Sequence, residues 1–304
     1  MKFYQVDAFT ERPYEGNPCA VFPDARGLSD AQMLSIAREI HLSETAFLSP
    51  SETTDVRARY FMPTGEIPLA GHPTIASVFV MLREGMIDLP GTEEGGDDSE
   101  SRELTMELTA GVIRIRVQLR RGRPWISMRQ LRPTFGRSYP EEQVARAFDL
   151  APGDLLPGYP AQTVSTGTPQ LMVPLRDETA LNRARLVESL YRDLHRRGDF
   201  FSPHLFVLYG PPDNQSTRAR HFGGVSISDE DPFTGSATGG MGAYLYHHGL
   251  LGNVAFTALQ GATVNRPGIA HCRVIPESGE GIAAVEITGT AVETLRGELT
   301  TLPE

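Results

Sequence analysis

The chain has 304 residues, 40% apolar and 22% charged, which is enough for two ordinary domains or one large one and is not the composition of a disordered chain. Its net charge of -10 and its lack of a basic tract argue against nucleic acid or an anionic membrane as the main partner, since both are held by clustered Lys and Arg. Cys19 and Cys272 give neither a metal-ligand spacing nor a disulfide framework, the N-terminal stretch lacks an apolar leader, and no apolar run is long enough to span a bilayer. We therefore expect a cytoplasmic protein with no metal, no membrane partner and no nucleic-acid partner, although a small anionic substrate stays open.

Lys2 to Phe9 alternates as a strand does, Arg12 to Pro18 reads as a loop, and Ala20 to Phe22 resumes as strand. Ser29 is an N-cap for a helix whose Met33, Ile36, Ala37 and Ile40 share one face. Leu42 to Leu48 reads as a buried strand interrupted by Glu44, and Val56 to Phe61 alternates again. His72 to Arg83 is apolar nearly all round, so it should be a helix buried on every side, stopped at Gly85 and wrapped by strands. Residues 90–103 are acidic and Gly-rich and read as a surface loop. Three strands should follow as a meander, at Leu104–Leu108, Val112–Leu119 and Trp125–Met128.

A boundary near Arg129 to Arg137 divides the chain into an N-terminal half, 1–131, to which 286–304 return, and a C-terminal half, 132–285. The second half should hold a helix near Pro140 to Phe148, strands at Gln162–Gly167 and Gln170–Val173, and one charged amphipathic helix over Leu181–Arg196. Strands at Leu205–Tyr209 and Arg218–Ile227 lead to a second helix apolar nearly all round, Ser236–His248, and strands at Val264–Val274 and Ala283–Leu295 close the chain. This is an α+β pattern rather than regular βα alternation. Gly239-Gly240-Met241-Gly242 lies inside the helical run, with no strand feeding it, so its likeness to a dinucleotide loop is superficial.

The two buried helices share an entry. Glu66-Ile-Pro-Leu-Ala-Gly71 and Glu230-Asp-Pro-Phe-Thr-Gly235 both read Glu-x-Pro-x-x-Gly, and each runs 14 positions from that Gly to a closing Gly (71 to 85, 235 to 249). Two matched copies point to a duplicated half and to two helix starts whose bare N–H groups can hold a carboxylate; the alternative is that the glycines only make tight turns. Glu44 is the acid–base candidate, because a carboxyl in an apolar strand is desolvated and its pKa rises; alternatively it caps a backbone end or pairs with Arg. His72 is a donor to a substrate oxygen, a proton relay or a cap, Asp231 a second carboxylate, the partner of a substrate amine or a helix-start stabiliser, and Ser236 carries the same ambiguity. Cys19 reads as a buried small residue.

With these residues in view, the sequence resembles the phenazine-biosynthesis PhzF-like isomerase family. The matching stretches are Val6-Asp7-Ala8-Phe9, Gly16-Asn17-Pro18, Leu42-Ser43-Glu44-Thr45-Ala46-Phe47 and Gly71-His72-Pro73-Thr74. In the second half they are Ser165 to Pro169, Glu230 to Ala237, and Arg266-Pro267. The resemblance implies the diaminopimelate-epimerase-like α+β fold, with two pseudo-symmetric domains, each a β-barrel-like sheet around a central buried helix, and an active site in the cleft between them. It also implies a cofactor-independent isomerase, usually a homodimer, acting on a small unsaturated carboxylate. By motif, Glu44 is its acid–base, His72, Asp231 and Ser236 complete the catalytic set, and Gly71 and Gly235 bind substrate. Neither helix start carries the cysteine of two-thiol racemases. His41 and Phe233 depart from the family's commoner Asn and Ala, and Phe233 is expected to alter substrate shape. A two-base epimerase using Glu44 with Asp231, or a non-catalytic binding or scaffold protein, are the alternatives.

Overall fold

In the computed structural model, which describes residues 1–88, 101–223, 229–277 and 281–304, the alternating start of the chain forms β1 (Lys2–Ala8), paired antiparallel with β2 (Asn17–Phe22). Helix α1 (Asp30–Ile40) opens on a capping box. Gln32 N donates to Ser29 Oγ at 3.3 Å, and Ser29 N donates to Gln32 Oε1 at 3.0 Å. Its buried Met33, Ile36 and Ala37 pack on the outer face of the sheet among Phe22, Phe47 and Phe61. This crossover delivers β3 (Glu44–Ser49) parallel to β2. β4 (Val56–Met62) pairs antiparallel with β3 and turns into the short β5 (Gly65–Ile67). Helix α2 (Gly71–Arg83) then crosses to β6 (Ser101–Leu108), parallel to β4, and β7 (Gly111–Arg120) and β8 (Arg123–Arg129) complete the meander.

The second series repeats the first step for step. After β9 (Thr134–Tyr139) and α3 (Glu141–Ala147), β10 (Ala161–Ser165) pairs antiparallel with β9 and with β11 (Pro169–Pro174). A helical crossover leads to β12 (Ser202–Tyr209), parallel to β11, then antiparallel β13 (Ser216–Phe222) and β14 (Glu230–Asp231). The second central helix crosses to β15 (Ala255–Gln260), parallel to β13, followed by β16 (Gly268–Pro276) and β17 (Ile282–Gly289). The last strand, β18 (Ala291–Glu298), pairs antiparallel with β1. The chain thus divides into two units, Met1–Arg129 with Thr288–Glu304, and Gln130–Ile287.

In the first unit α2 packs against β1, β2, β3, β8 and β18. The ring of strands is drawn together where Ser127 and Thr288 share a 2.7 Å hydroxyl bond and Thr290 Oγ1 donates to Pro124 O at 2.7 Å. Ile75, Val78, Val80 and Met81 are fully buried, each worth about 1.5–3 kcal/mol of burial, so packing rather than propensity holds the helix. In the second unit the corresponding helix, following the two of the crossover, α4 (Glu178–Arg183) and α5 (Glu188–Arg197), is α6 (Gly235–His247), packed on β10, β11 and β16. Gly85 (φ +65) and Gly249 (φ +67) end α2 and α6 in the left-handed conformation that Gly tolerates.

The α6 glycines are close-packing positions. A Cβ at Gly239 would overlap the Gln130 amide, one at Gly240 would come within 2.8 Å of Met172 Cε, and one at Gly242 within 2.6 Å of Cys272 Sγ. The expected single helix over Leu181–Arg196 is instead broken at 184–187 into α4 and α5. Buried Arg220 donates to the carbonyls of Leu181 at 2.7 Å and Ala184 at 2.8 Å, terminating the first piece, while Arg185 N and Val187 N donate to Phe148 and Ala147. Val264–Pro267 is a turn rather than strand, with Asn265 left-handed, and Ala283–Leu295 is two strands parted at Thr290. Of the expected 90–103 loop, 90–100 lies outside the described residues and Ser101–Glu103 belongs to β6; of the Arg218–Ile227 strand, 224–227 lies outside them. Among the described residues no helix is long and apolar enough to cross a membrane.

Candidate active site

Strand periodicity and register build the first half of the site. Asn17 and Cys19 are two residues apart on β2, so they share a face, and Cys19 pairs with Glu44 across the parallel β2–β3 ladder. That face looks at α2. Glu44 is the first residue of β3 rather than an interruption within it, and its side chain is 15% exposed. His72, in the first turn of α2, is 2% exposed, and its Nε2 lies 3.2 Å from Glu44 Oε2. On the other side of the ring, Asn17 Nδ2 lies 3.1 Å from His72 Nδ1, and Ser43 Oγ donates to Asn17 Oδ1 at 3.4 Å. Burial pushes the His72 pKa down to about 3, so the ring is neutral at physiological pH. Burial, with the Glu44 charge as a lesser cause, pushes the Cys19 thiol well up, which fits a buried small residue and not a nucleophile.

Helix α2 has Ala70 at its N-cap, no side-chain cap and no acidic residue in its first turn. The N–H groups of Gly71 and His72 therefore meet no capping side chain, beside a carboxylate–imidazole pair. Among the described residues the left-handed glycines do not include Gly71 or Gly235, so a positive φ is not the reason for Gly at either helix start.

The second unit sets Gly235 and Ser236 as the first two residues of α6, again without a side-chain cap or first-turn acid. Both are buried, as is Asp231 on β14. Thr234 Oγ1 donates to Asp231 Oδ2 at 2.5 Å, tying that carboxylate to the N-cap residue. Gln260 braces the same turn, donating to Asp231 O at 2.6 Å and accepting from Thr234 N at 3.2 Å. Gln130 Nε2 donates to Gly235 O at 2.8 Å and Gln130 Oε1 accepts from Thr166 Oγ1 at 2.5 Å. Phe233, expected to alter substrate shape, is fully buried against Gly268, where it fills space behind the turn and has no face to offer a ligand.

The repeat makes the two halves comparable residue by residue. Ala46 pairs with Tyr60 and Tyr60 with Ile67; His204 pairs with His221 and His221 with Asp231. Asp231 thus stands where Ile67 stands, Ser236 where His72 stands, and Ser202 where Glu44 stands. The counterpart of the Glu44 environment is a buried polar cluster. Ser202 Oγ donates to Gln170 Oε1 at 2.6 Å and lies 2.9 Å from His221 Nε2, and His221 Nδ1 is 3.3 Å from His204 Nδ1. Burial lowers the pKa of both histidines, His221 to about 3.

The structure therefore brings Glu44, His72 and Gly71 together in one unit, and Asp231, Ser236 and Gly235 around one helix start in the other. The bracing residues Gln130 and Gln260 carried no motif, and Thr166 and Asn17 were visible only as parts of the stretches Ser165 to Pro169 and Gly16-Asn17-Pro18. Among the described residues, no group of three or more His, Cys, Asp or Glu could hold a metal ion.

The arrangement has relatives. Residues 6–297 match the family model of phenazine biosynthesis-like (PhzC-PhzF) proteins. The uncharacterized isomerase YddE of Escherichia coli is 34% identical, covering 95% of each chain. A trans-2,3-dihydro-3-hydroxyanthranilate isomerase of Pseudomonas aeruginosa is 29% identical over 97% of this chain and 98% of its own. The crystal structure of a PhzF-family phenazine biosynthesis protein of Bacillus anthracis, 28% identical, superposes with a TM-score of 0.84 over 99% of both chains. The chain belongs to the phenazine biosynthesis-like PhzF family, has that family's α+β fold, and is an isomerase.

Proposed function

We propose that the protein is a cofactor-independent isomerase that moves a proton between carbons of a small unsaturated carboxylate, with Glu44 taking the proton and returning it. The observation that carries this reading is the 3.2 Å approach of His72 Nε2 to Glu44 Oε2 beside the uncapped start of α2. In the forward step a substrate C–H bond breaks, the proton goes to a Glu44 oxygen, and the electron pair enters the conjugated system. In the second step that O–H bond breaks and a C–H bond forms at another carbon. A neutral His72 steadies the carboxylate form of Glu44, and the N–H groups of Gly71 and His72 attract the substrate's negative charge. Asp231 orients a substrate amine or hydroxyl, and Ser236 with the N–H groups at Gly235 binds a polar substituent.

The test is a panel of small unsaturated carboxylates that includes trans-2,3-dihydro-3-hydroxyanthranilate, the compound named for the Pseudomonas relative. Wild type should convert a member of the panel, and Glu44→Gln should lose ~10²–10⁴-fold in kcat at unchanged melting temperature, the usual worth of a positioned acid–base. Full turnover by Glu44→Gln sinks the reading. A two-base epimerase is favoured by one observation, that each repeat sets one carboxylate at its helix start, Glu44 by His72 and Asp231 by Thr234. Chiral chromatography separates the two, since only an epimerase inverts a centre while leaving the double bonds in place. The homodimer implied by the family resemblance and the cytoplasmic location expected from composition belong to the same proposal, and light scattering that returns the mass of a single chain contradicts the first.

A further inference from the structure

We infer that Asn17 is a positioning residue, whose amide locks neutral His72 in the tautomer that carries its proton on Nε2, the ring nitrogen nearest Glu44. The inference rests on the reading of Glu44 as the group that moves the proton. Asn17 is fully buried at the first position of β2, on the face it shares with Cys19 and Glu44. The structure places its Oδ1 at the Ser43 hydroxyl, 3.4 Å away, and its Nδ2 at His72 Nδ1, 3.1 Å away. An amide nitrogen has protons to give and no lone pair to offer. His72 Nδ1 must therefore accept, and a neutral imidazole that accepts at Nδ1 carries its one proton at Nε2. Nε2 is the atom 3.2 Å from Glu44 Oε2.

This lock has a chemical consequence. While Glu44 is ionised, the Nε2–H group lies 3.2 Å from Oε2, out of line for a full hydrogen bond, and its positive end favours the charged carboxylate. Once Glu44 has taken that proton, His72 cannot relieve it, since Nε2 is already protonated and a second ring proton would make a cation in a buried site. The proton stays on Glu44 until it is returned to carbon, and the imidazole gains and loses nothing in the cycle. With the other tautomer, Nε2 would be an acceptor set against a carboxylate, repelling it while ionised and draining its proton when protonated.

The variant that reverses the lock with least change of shape is Asn17→Asp, whose carboxylate accepts at the position where the amide donates. The readout is the pattern of the His72 ring nitrogens in proton–nitrogen spectra of ring-labelled full-length protein, assigned by the signal lost in His72→Gln. Wild type is expected to show a bare Nδ1 and a protonated Nε2, and Asn17→Asp a protonated Nδ1. Turnover in Asn17→Asp should fall by about 10²-fold, as for a misaimed catalytic group, with a changed pH profile. Ser43→Ala, which frees the amide without altering its size, should give a mixture of both tautomers and a smaller loss, and serves if Asn17→Asp does not fold. A wild-type His72 with its proton on Nδ1, or a bare Nδ1 persisting in Asn17→Asp, overturns the inference. These spectra need no substrate, so they are separate from the fate of the mechanism: if the tautomer switches as expected while Glu44→Gln keeps full turnover, the lock stands and the acid–base assignment falls.

Discussion

Glu44 and Asp231 show what a single residue position decides in a duplicated frame. Glu44 opens a strand whose counterpart residue is Ser202, and Asp231 closes a hairpin whose counterpart is Ile67, so each repeat contributes one candidate site carboxylate, at non-equivalent places. Asp231 is held by its neighbours: Thr234 binds its carboxylate, and Gln260 binds its carbonyl and the Thr234 N–H. Gln260→Leu leaves both of those backbone groups without that partner, and unpaired buried polar groups cost about 1–3 kcal/mol each. Urea unfolding of Gln260→Leu is therefore expected to show a loss of at least ~1 kcal/mol, and a midpoint equal to wild type contradicts the bracing role. His72, Asp231 and Ser236 stood out in the sequence because they sit in short motifs beside Gly and Pro, and Glu44 because it is a carboxyl in an apolar strand. Gln130 and Gln260 did not, because an isolated Gln at a strand end has no pattern until the pairing register is known.

Helices α2 and α6 were legible as elements for a plain reason. An apolar run of 13 residues without a polar face, entered through Glu-x-Pro-x-x-Gly and stopped by a left-handed Gly, has few folds open to it. The α4–α5 break was illegible, because its cause lies far away in sequence. Arg220 on β13 is 5% exposed, pairs closely with Glu230, and donates to carbonyls at the end of α4. Local periodicity over Leu181–Arg196 continues straight through the break. Arg220→Met strands the Glu230 carboxylate and at least two carbonyls, and removing one partner of a buried ion pair typically costs about 3–5 kcal/mol. Hydrogen exchange should show the α4 amides losing protection before those of α6. Unchanged protection of α4 in Arg220→Met would mean that the arginine does not terminate that helix.

Across the whole molecule, three buried histidines link folding to pH. His72, His204 and His221 all have pKa values lowered by burial, His72 and His221 to about 3, against an ordinary value of 6.5. Above pH 6.5 they are neutral in both folded and unfolded chains and contribute no pH dependence. Below it the unfolded chain takes up protons that the folded one refuses, so stability falls as pH drops toward 3. Each such histidine adds a slope of up to about 1.4 kcal/mol per pH unit. Between pH 6 and 5, His221→Gln is expected to lose stability less steeply than wild type in urea titrations; parallel slopes contradict the linkage. At this scale the duplication was readable from two matched motifs, and 286–304 were expected to return to the N-terminal half, but their antiparallel pairing with β1 is long-range and no local pattern encodes it.

The account turns on Glu44 as the group that handles the proton, and turnover of the converted carboxylate in D2O tests this most directly. Wild type is predicted to place at most one solvent deuterium in the product, at the carbon that receives the proton, and Glu44→Gln to lose exchange and turnover together by the same ~10²–10⁴-fold. Deuterium exchange or conversion by Glu44→Gln at the wild-type rate would contradict it.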